Sequence, residues 1–243
     1  MKIQGQKLEI LRKEFDEFVF IVSHDVKAPL RAITNLTHWI EEDLAYTRNE
    51  EDILENFSML KERVKRMEDM IDSLGEYSRI HKENLTVYKQ NVFEFLDRVT
   101  NSSITCPNIQ INKHYEISNP IIETNFGKLE RIIKELIENS IRFANKSTIT
   151  INIRALEDED FYVFQISDNG CGIPKEVRDK IFKIFYTVRP KDIFYSTGAG
   201  LAICKKICQF VGGDILYIEQ ENEGACFEVK WPKNNLINDD YES

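Results

Sequence analysis

Apolar residues at Leu8, Leu11, Phe15, Phe18, Val22, Val26, Ile33, Leu36, Ile40 and Leu44 are spaced by three, four and seven. That spacing puts them on one stripe, so Lys7 to Leu44 reads as a single amphipathic helix. At about 1.5 Å per residue it is more than about 50 Å long. A polar break follows at Tyr46 to Glu51. Beyond it Ile53, Leu60, Met67 and Leu74 recur every seven residues, as do Phe57, Val64 and Ile71. Two interleaved columns at this interval are a bundle or coiled-coil seam. A lone hairpin cannot bury both columns well, whereas two hairpins paired into a four-helix bundle can. The pattern predicts a homodimer; a monomeric hairpin packed on the rest of the chain is the alternative.

From Arg79 to Gln90 the periodicity fails, and this stretch reads as a linker. The texture then changes. Asn91 to Ser102 suits a short helix, and Ile109 to Asn112 and Ile121 to Thr124 suit strands. Phe126 to Ala144 is helical, with Leu129, Ile132, Ile133, Leu136, Ile137 and Ile141 on its apolar face. Thr148 to Ala155 and Phe161 to Ser167 alternate as strands do, around the acidic turn Glu157 to Asp160. Gly200 to Phe210 is helical and stops at Gly212-Gly213, and Ile215 to Glu219 with Ala225 to Trp231 forms a closing hairpin. Runs of strands and helices of this kind predict an α+β sandwich. The expected organisation is a helical hairpin over 1–84, a second domain over 85–235 and a tail over 236–243.

One stretch of the first helix does not fit a folding argument. Ser23-His24-Asp25-Val26-Lys27-Ala28-Pro29-Leu30 places a proline in a helix interior, at a cost of about 3 kcal/mol. His24 lies off the apolar stripe: the positions one and two heptads away are Glu17, Arg31 and His38, so its ring is expected in solvent.

The chain has 243 residues and a net charge of −9. A negative surface argues against non-specific binding of nucleic acid or of an anionic membrane. No apolar run approaches a membrane span, and no signal peptide is readable. Cys106, Cys171, Cys204, Cys208 and Cys226 are odd in number and contain no Cys-x-x-Cys, which suggests a reducing, cytoplasmic setting. Cys204 and Cys208 share a helix face. They read as core in preference to a metal pair.

Four clusters in the second half carry candidate chemistry. Glu135 and Asn139 lie four apart on a helix and face the same way, a geometry able to hold hydrated Mg²⁺. Asp168-Asn-Gly170-Cys-Gly172-Ile173-Pro174 follows a strand directly, and its glycines let backbone approach a ligand. Thr197-Gly198-Ala-Gly200-Leu201 opens a helix whose amides suit phosphate, although it is neither a Walker sequence nor a dinucleotide fingerprint. Between these, Ile181 to Phe185 reads as an anchor, and Tyr186 to Tyr195, with Arg189 and Lys191, as a mobile lid.

In order and spacing this set resembles the sensor histidine kinases of two-component systems, over residues 8 to 232. Ser23 to Leu30 matches the H-box, Glu135 to Phe143 the N-box, Asp168 to Pro174 the G1-box, Ile181 to Phe185 the F-box and Thr197 to Leu201 the G2-box. The resemblance implies a dimeric four-helix bundle followed by a two-layer α+β sandwich of the Bergerat ATP-binding type. It implies an ATP- and Mg²⁺-dependent kinase that phosphorylates its own His24 and passes the group to an aspartate of a response regulator. By transfer of family roles, Asp25 would accept a hydrogen bond from the His24 ring, Asn139 would ligate Mg²⁺ and Asp168 would recognise the adenine amino group. Phe143 would pack on adenine, with Ile173 beside it in the G1-box. Gly170, Gly172, Gly198 and Gly200 would admit the nucleotide, with Thr197 and Leu201 flanking, and Arg142, Arg189 or Lys191 would offer positive charge. Pro29 then reads as a hinge beside the phosphoacceptor. No sensor module is present, so the chain reads as a catalytic portion.

Three positions depart from the commonest family pattern. Ala28 stands where phosphatase-competent members carry Thr or Asn, which implies weak dephosphorylation of the regulator. Glu135 opens the N-box in place of Asn. In the related gyrase, Hsp90 and mismatch-repair ATPases a glutamate there activates water. Ser196 replaces a glycine before the G2-box. The rival readings are an ATPase of that wider superfamily, against which Ser23-His24-Asp25 speaks, and a catalytically dead scaffold, against which Asn139, Asp168 and the G2 glycines speak.

Overall fold

The computed structural model describes residues 2–47, 50–81, 86–104, 107–144, 146–188, 196–220 and 223–234. These divide into two compact units, Met1–Glu76 with Lys183–Gly200, and Tyr77–Phe182 with Leu201–Ser243.

In the first unit, helix α1 (Lys2–Glu42) runs on through Pro29, whose ring is buried. The proline leaves the helix continuous. A π-helical turn (Asp43–Thr47) takes up part of the expected polar break, and Asn56 Nδ2 donates to Asp43 Oδ2 at 3.3 Å across it. Helix α2 (Glu50–Arg79) follows. The two seven-residue columns have different fates. Ile53, Leu60, Met67 and Leu74 are half-buried, with Leu36, Ile40 and Met70 fully so. Phe57, Val64 and Ile71 stay 41%, 41% and 57% exposed. One column serves the hairpin and the other faces outward.

The second unit holds strand β1 (Tyr88–Asn91), helix α3 (Val92–Ser103), strands β2 (Ile109–Tyr115) and β3 (Ile121–Thr124), and helix α4 (Phe126–Arg142). Strands β4 (Ile149–Glu157) and β5 (Phe161–Asp168), helix α5 (Gly200–Phe210, begun by the last residue of the first unit) and strands β6 (Asp214–Tyr217) and β7 (Cys226–Pro232) complete it. The main sheet has the order β2-β4-β5-β7-β6, and β1 pairs only with β3. Two corrections to the sequence reading follow. The stretch expected to be linker ends in a strand, because Tyr-Lys-Gln-Asn is held by backbone pairing to β3 and shows no apolar alternation. The other concerns β2, which pairs with β4 in parallel, so the pattern is less hairpin-like than expected. Parallel neighbours need a crossover, and α4 lies within it.

Caps fix where the helices begin. Asn91 accepts from the amides of Phe93 and Glu94 at the start of α3, and Asn125 accepts from Lys128 at the start of α4. Each satisfies amides that the first helical turn leaves without partners. Alternate residues Ile149, Ile151, Ile153 and Ala155 of β4 are buried, as are eight residues of α4 that include Ile132, Ile133 and Leu136. The opposite sheet face is polar, with Asn112 bonded to Asn152, and Gln165 bonded to Arg154 and Glu228. Trp231 ties the two sheets together, its buried indole N–H donating to Thr124 Oγ1 at 2.6 Å. Cys204 and Cys208 are buried as core, and burial pushes the Cys208 thiol well up. Cys106 lies outside the described residues.

Glu157, at the end of β4, pairs with Lys233 at 2.7 Å and accepts the Ser118 amide at 2.7 Å. Lys233 first and Ser118 second hold its carboxyl at about 2, against an ordinary 4.5. A depressed carboxyl stabilises the fold above its unfolded value, and the gain is lost as pH falls through the folded one. Glu157→Gln is therefore expected to lower the urea midpoint near neutral pH. The gap to the parent should close as pH drops from about 4.5 to about 2, and a gap independent of pH would count against this origin.

Candidate functional site

His24 projects from the middle of α1 with its side chain 64% exposed. Its Nδ1 lies 3.1 Å from Asp25 Oδ1. A carboxylate only accepts, so this contact assigns the ring proton to Nδ1 and leaves the Nε2 lone pair outward. Phe20, one turn earlier, stacks on the imidazole with ring centroids 6.4 Å apart and planes 20° off parallel. Pro29 cannot donate to the carbonyl of Asp25 four residues back. Ala28 is exposed and offers no side-chain hydrogen-bonding atom there.

In the second unit, the end of β5 and the end of α4 meet at Asp168. Its Oδ1 accepts the amides of Gly170 at 2.8 Å and Ala225 at 3.1 Å. Its Oδ2 lies 3.2 Å from the buried Ser140 hydroxyl, whose proton is shared with the Leu136 carbonyl. Phe143 caps α4 and is half-buried, and a Cβ on Gly170 would stand 3.5 Å from its carbonyl oxygen. Gly172 packs against Gly224, which has φ +126°, and a Cβ on Gly224 would fall 1.9 Å from the carbonyl oxygen of Asp168. Ile173 is half-buried and its carbonyl accepts Arg178 Nε at 3.0 Å. Along α4, Arg131, Glu135, Asn139 and Arg142 form a hydrogen-bonded row. Among the described residues no group of three or more His, Cys, Asp or Glu could hold a metal.

In the first unit, the buried Phe185 has φ +62°, a left-handed backbone that bulky residues rarely adopt. Gly198, φ +74°, lies against it: a Cβ there would stand 2.5 Å from the Tyr186 carbonyl oxygen and 2.7 Å from the Phe185 carbonyl carbon. The Ser196 and Thr197 hydroxyls accept the amides of Gly198 and Ala199. Arg66 of α2 donates to the Ser196 carbonyl at 3.5 Å. Gly200 starts α5, and Leu201 beside it is half-buried. Arg189 and Lys191, with most of the expected lid, lie outside the described residues.

Residues 16–83 match the His Kinase A (phospho-acceptor) domain, and residues 125–235 the family described as histidine kinase-, DNA gyrase B- and HSP90-like ATPase. The chain belongs to the sensor histidine kinases. Cyanobacterial phytochrome A of Nostoc sp. is 30% identical over 231 residues, which cover 93% of this chain and 29% of that protein. The chain spans 29–31% of the length of three such phytochromes. The catalytic domain of histidine kinase ThkA is 26% identical with a TM-score of 0.53, covering 61% of this chain and 96% of that one. ThkA in complex with the response regulator TrrA shares the fold at 21% identity and a TM-score of 0.66, over 97% of this chain and 68% of the other. The second domain of this kinase chain is accordingly an ATP-binding domain.

Sequence reasoning missed four partners of the site. Ser140 was readable as a hydroxyl on the apolar face of α4, one turn after Leu136. Arg131 was readable as a cation four before Glu135. Gly224 and Ala225, a full β-strand and helix away in sequence, gave no local signal. Gly224→Ala is expected to strain backbone against backbone, lowering stability by about 1–3 kcal/mol and weakening nucleotide binding together with it. Thermal denaturation and titration with a fluorescent ATP analogue check both, and a variant that melts and binds like the parent would refute the contact.

Proposed function

We propose that this chain autophosphorylates His24 from ATP and passes the phosphoryl group to an aspartate of a response-regulator receiver domain. The observation that carries the proposal is the exposed His24 ring with Asp25 on Nδ1, inside a matched phosphoacceptor domain. Nε2 attacks the γ-phosphorus, the bond to the β–γ bridging oxygen breaks, and ADP leaves with the electron pair. Asp25 holds the Nδ1 proton and stabilises the charge that develops on the ring. In the second transfer a receiver aspartate oxygen attacks phosphorus and the P–N bond breaks, its electrons returning to Nε2. Proximity and charge neutralisation supply most of the rate in such transfers.

The nucleotide site draws on the residues of the second domain. Asp168, its carboxylate oriented by two amides and a hydroxyl, accepts the adenine amino group, and Phe143 packs on the base. The family resemblance assigns nucleotide contacts to Gly170, Gly172, Ile173, Thr197, Gly198, Gly200 and Leu201. Arg142, Arg189 and Lys191 supply positive charge. Asn139 fits a hydrated Mg²⁺, because that ion takes one or two protein oxygens and fills its shell with water and phosphate. A many-carboxylate cage is not needed, in keeping with the described residues. Bound there, the ion neutralises charge on the phosphate oxygens.

A homodimer through the helical hairpin is supported by the outward column Phe57, Val64 and Ile71. The hairpin domain is assigned to 1–84, the ATP-binding domain to 85–235 and a tail to 236–243. An odd number of cysteines with no Cys-x-x-Cys supports work in a reducing cytoplasm. At Ala28 no polar side chain is available to orient a hydrolytic water, so regulator phosphatase activity is weak.

With γ-labelled ATP, the parent chain is expected to acquire an acid-labile label that His24→Gln abolishes. Label that survives this substitution would put the phosphoacceptor elsewhere, and steady hydrolysis without label would favour the ATPase reading. In a phosphatase assay on a phosphorylated receiver, Ala28→Thr is expected to raise turnover several-fold. Strong turnover by the parent would contradict the role given to Ala28.

A further inference from the structure

Glu135 occupies the position at which related ATPases carry a water-activating glutamate, yet its surroundings here suit a different task. The residue is 9% exposed and both carboxylate oxygens are engaged. Oε2 accepts from Arg131 Nη1 at 2.8 Å, and Oε1 from Asn139 Nδ2 at 3.2 Å. Asn139 offers its own Oδ1 to Arg142 Nη1 at 3.3 Å. The spacing of four, four and three places all four side chains along one face of α4.

The polarity of this row follows from partner chemistry alone. A carboxylate bound to a guanidinium only accepts, and a guanidinium only donates. An asparagine between them has one orientation, nitrogen toward Glu135 and oxygen away. We propose that Glu135 is a positioning residue, which holds Asn139 with Oδ1 presented to the Mg²⁺ of the nucleotide, and that it is not a base for water. This inference rests on the Mg·ATP reading given above. Without the acceptor at 135 only the 3.3 Å donation from Arg142 still favours the oxygen, and the amide is held less firmly against turning an N–H to the metal. Arg131 completes the device by occupying the second oxygen, which keeps Glu135 in its acceptor role. Partners that orient a metal ligand in this way are worth about 10–100-fold in metal affinity.

The test compares the parent with Glu135→Ala and with the double variant Arg131→Leu/Glu135→Gln. In the double variant a neutral acceptor still faces Asn139 and no guanidinium competes for it. Each protein is titrated with trinitrophenyl-ATP in EDTA and across a range of Mg²⁺ concentrations, and His24 labelling and phosphate release from ATP are followed in parallel. Glu135→Ala is expected to need about tenfold more Mg²⁺ for half-maximal enhancement of binding, while its affinity in EDTA stays within about twofold. The double variant should return to within about threefold of the parent in Mg²⁺ dependence, in labelling and in phosphate release, the last of which an amide in place of a water-activating base could not sustain. An unchanged Mg²⁺ requirement in Glu135→Ala overturns the proposal. So does equal loss of binding in EDTA, which would make Glu135 a purely structural residue. Restored Mg²⁺ dependence and labelling with phosphate release lost in the double variant would restore the base role. A parent chain that never labels His24 sinks the kinase reading itself, whereas the metal-linked comparison of binding still decides the role of Glu135.

Discussion

The carboxylate of Asp168 is the constraint to which the second domain is built. A half-buried carboxylate must recover in hydrogen bonds what it loses in hydration, and here the donors come from three separate pieces of chain. Gly170 belongs to the loop after β5, Ala225 to the turn before β7 and Ser140 to the last part of α4. Satisfying one side chain thus draws together a strand end, a helix and a hairpin turn that are distant in sequence. The close approach of Gly224 to the Asp168 backbone, and of Gly172 to Gly224, is the steric counterpart of that convergence.

The two chemical centres are built by opposite means. His24 stands on the open face of a helix and needs only its sequence neighbour Asp25 and a stacked Phe20 to define its proton and its plane. In the proposed mechanism the His24 ring must meet both a nucleotide and a second protein, and it gains from such exposure. The Asp168 carboxylate is oriented atom by atom from neighbouring elements, and Asn139 by Glu135 and Arg142 of its own helix. Ser196 and Thr197 work in a third way. Their hydroxyls cap the amides just ahead of α5, so the segment before that helix is ordered by its own side chains.

How much could be read in advance follows the same division. The exposure of His24 was legible because a heptad alternation is local, and the bounds of β3 and α5 were legible because Gly and polar residues punctuate them. Strand β1 was not, since Tyr88 to Asn91 is held by pairing with β3 and carries no apolar alternation. The parallel pairing of β2 with β4 was also hidden, because two alternating strands look the same whichever way they run. In the site, Asp168 and the glycines announced themselves by type and spacing. Ala225 could not, since it contributes a backbone amide, and any residue other than proline has one.

The outward column of Phe57, Val64 and Ile71 has a thermodynamic consequence. A hairpin that completes its core only with a second copy has folding and association as a single equilibrium. Dilution then acts on it as a denaturant does, shifting mass toward separated and less ordered chains, while a domain whose core is closed within itself is indifferent to dilution. In the proposed dimer one polypeptide thereby carries two kinds of stability, one indifferent to copy number and one that depends on how many copies the surroundings hold.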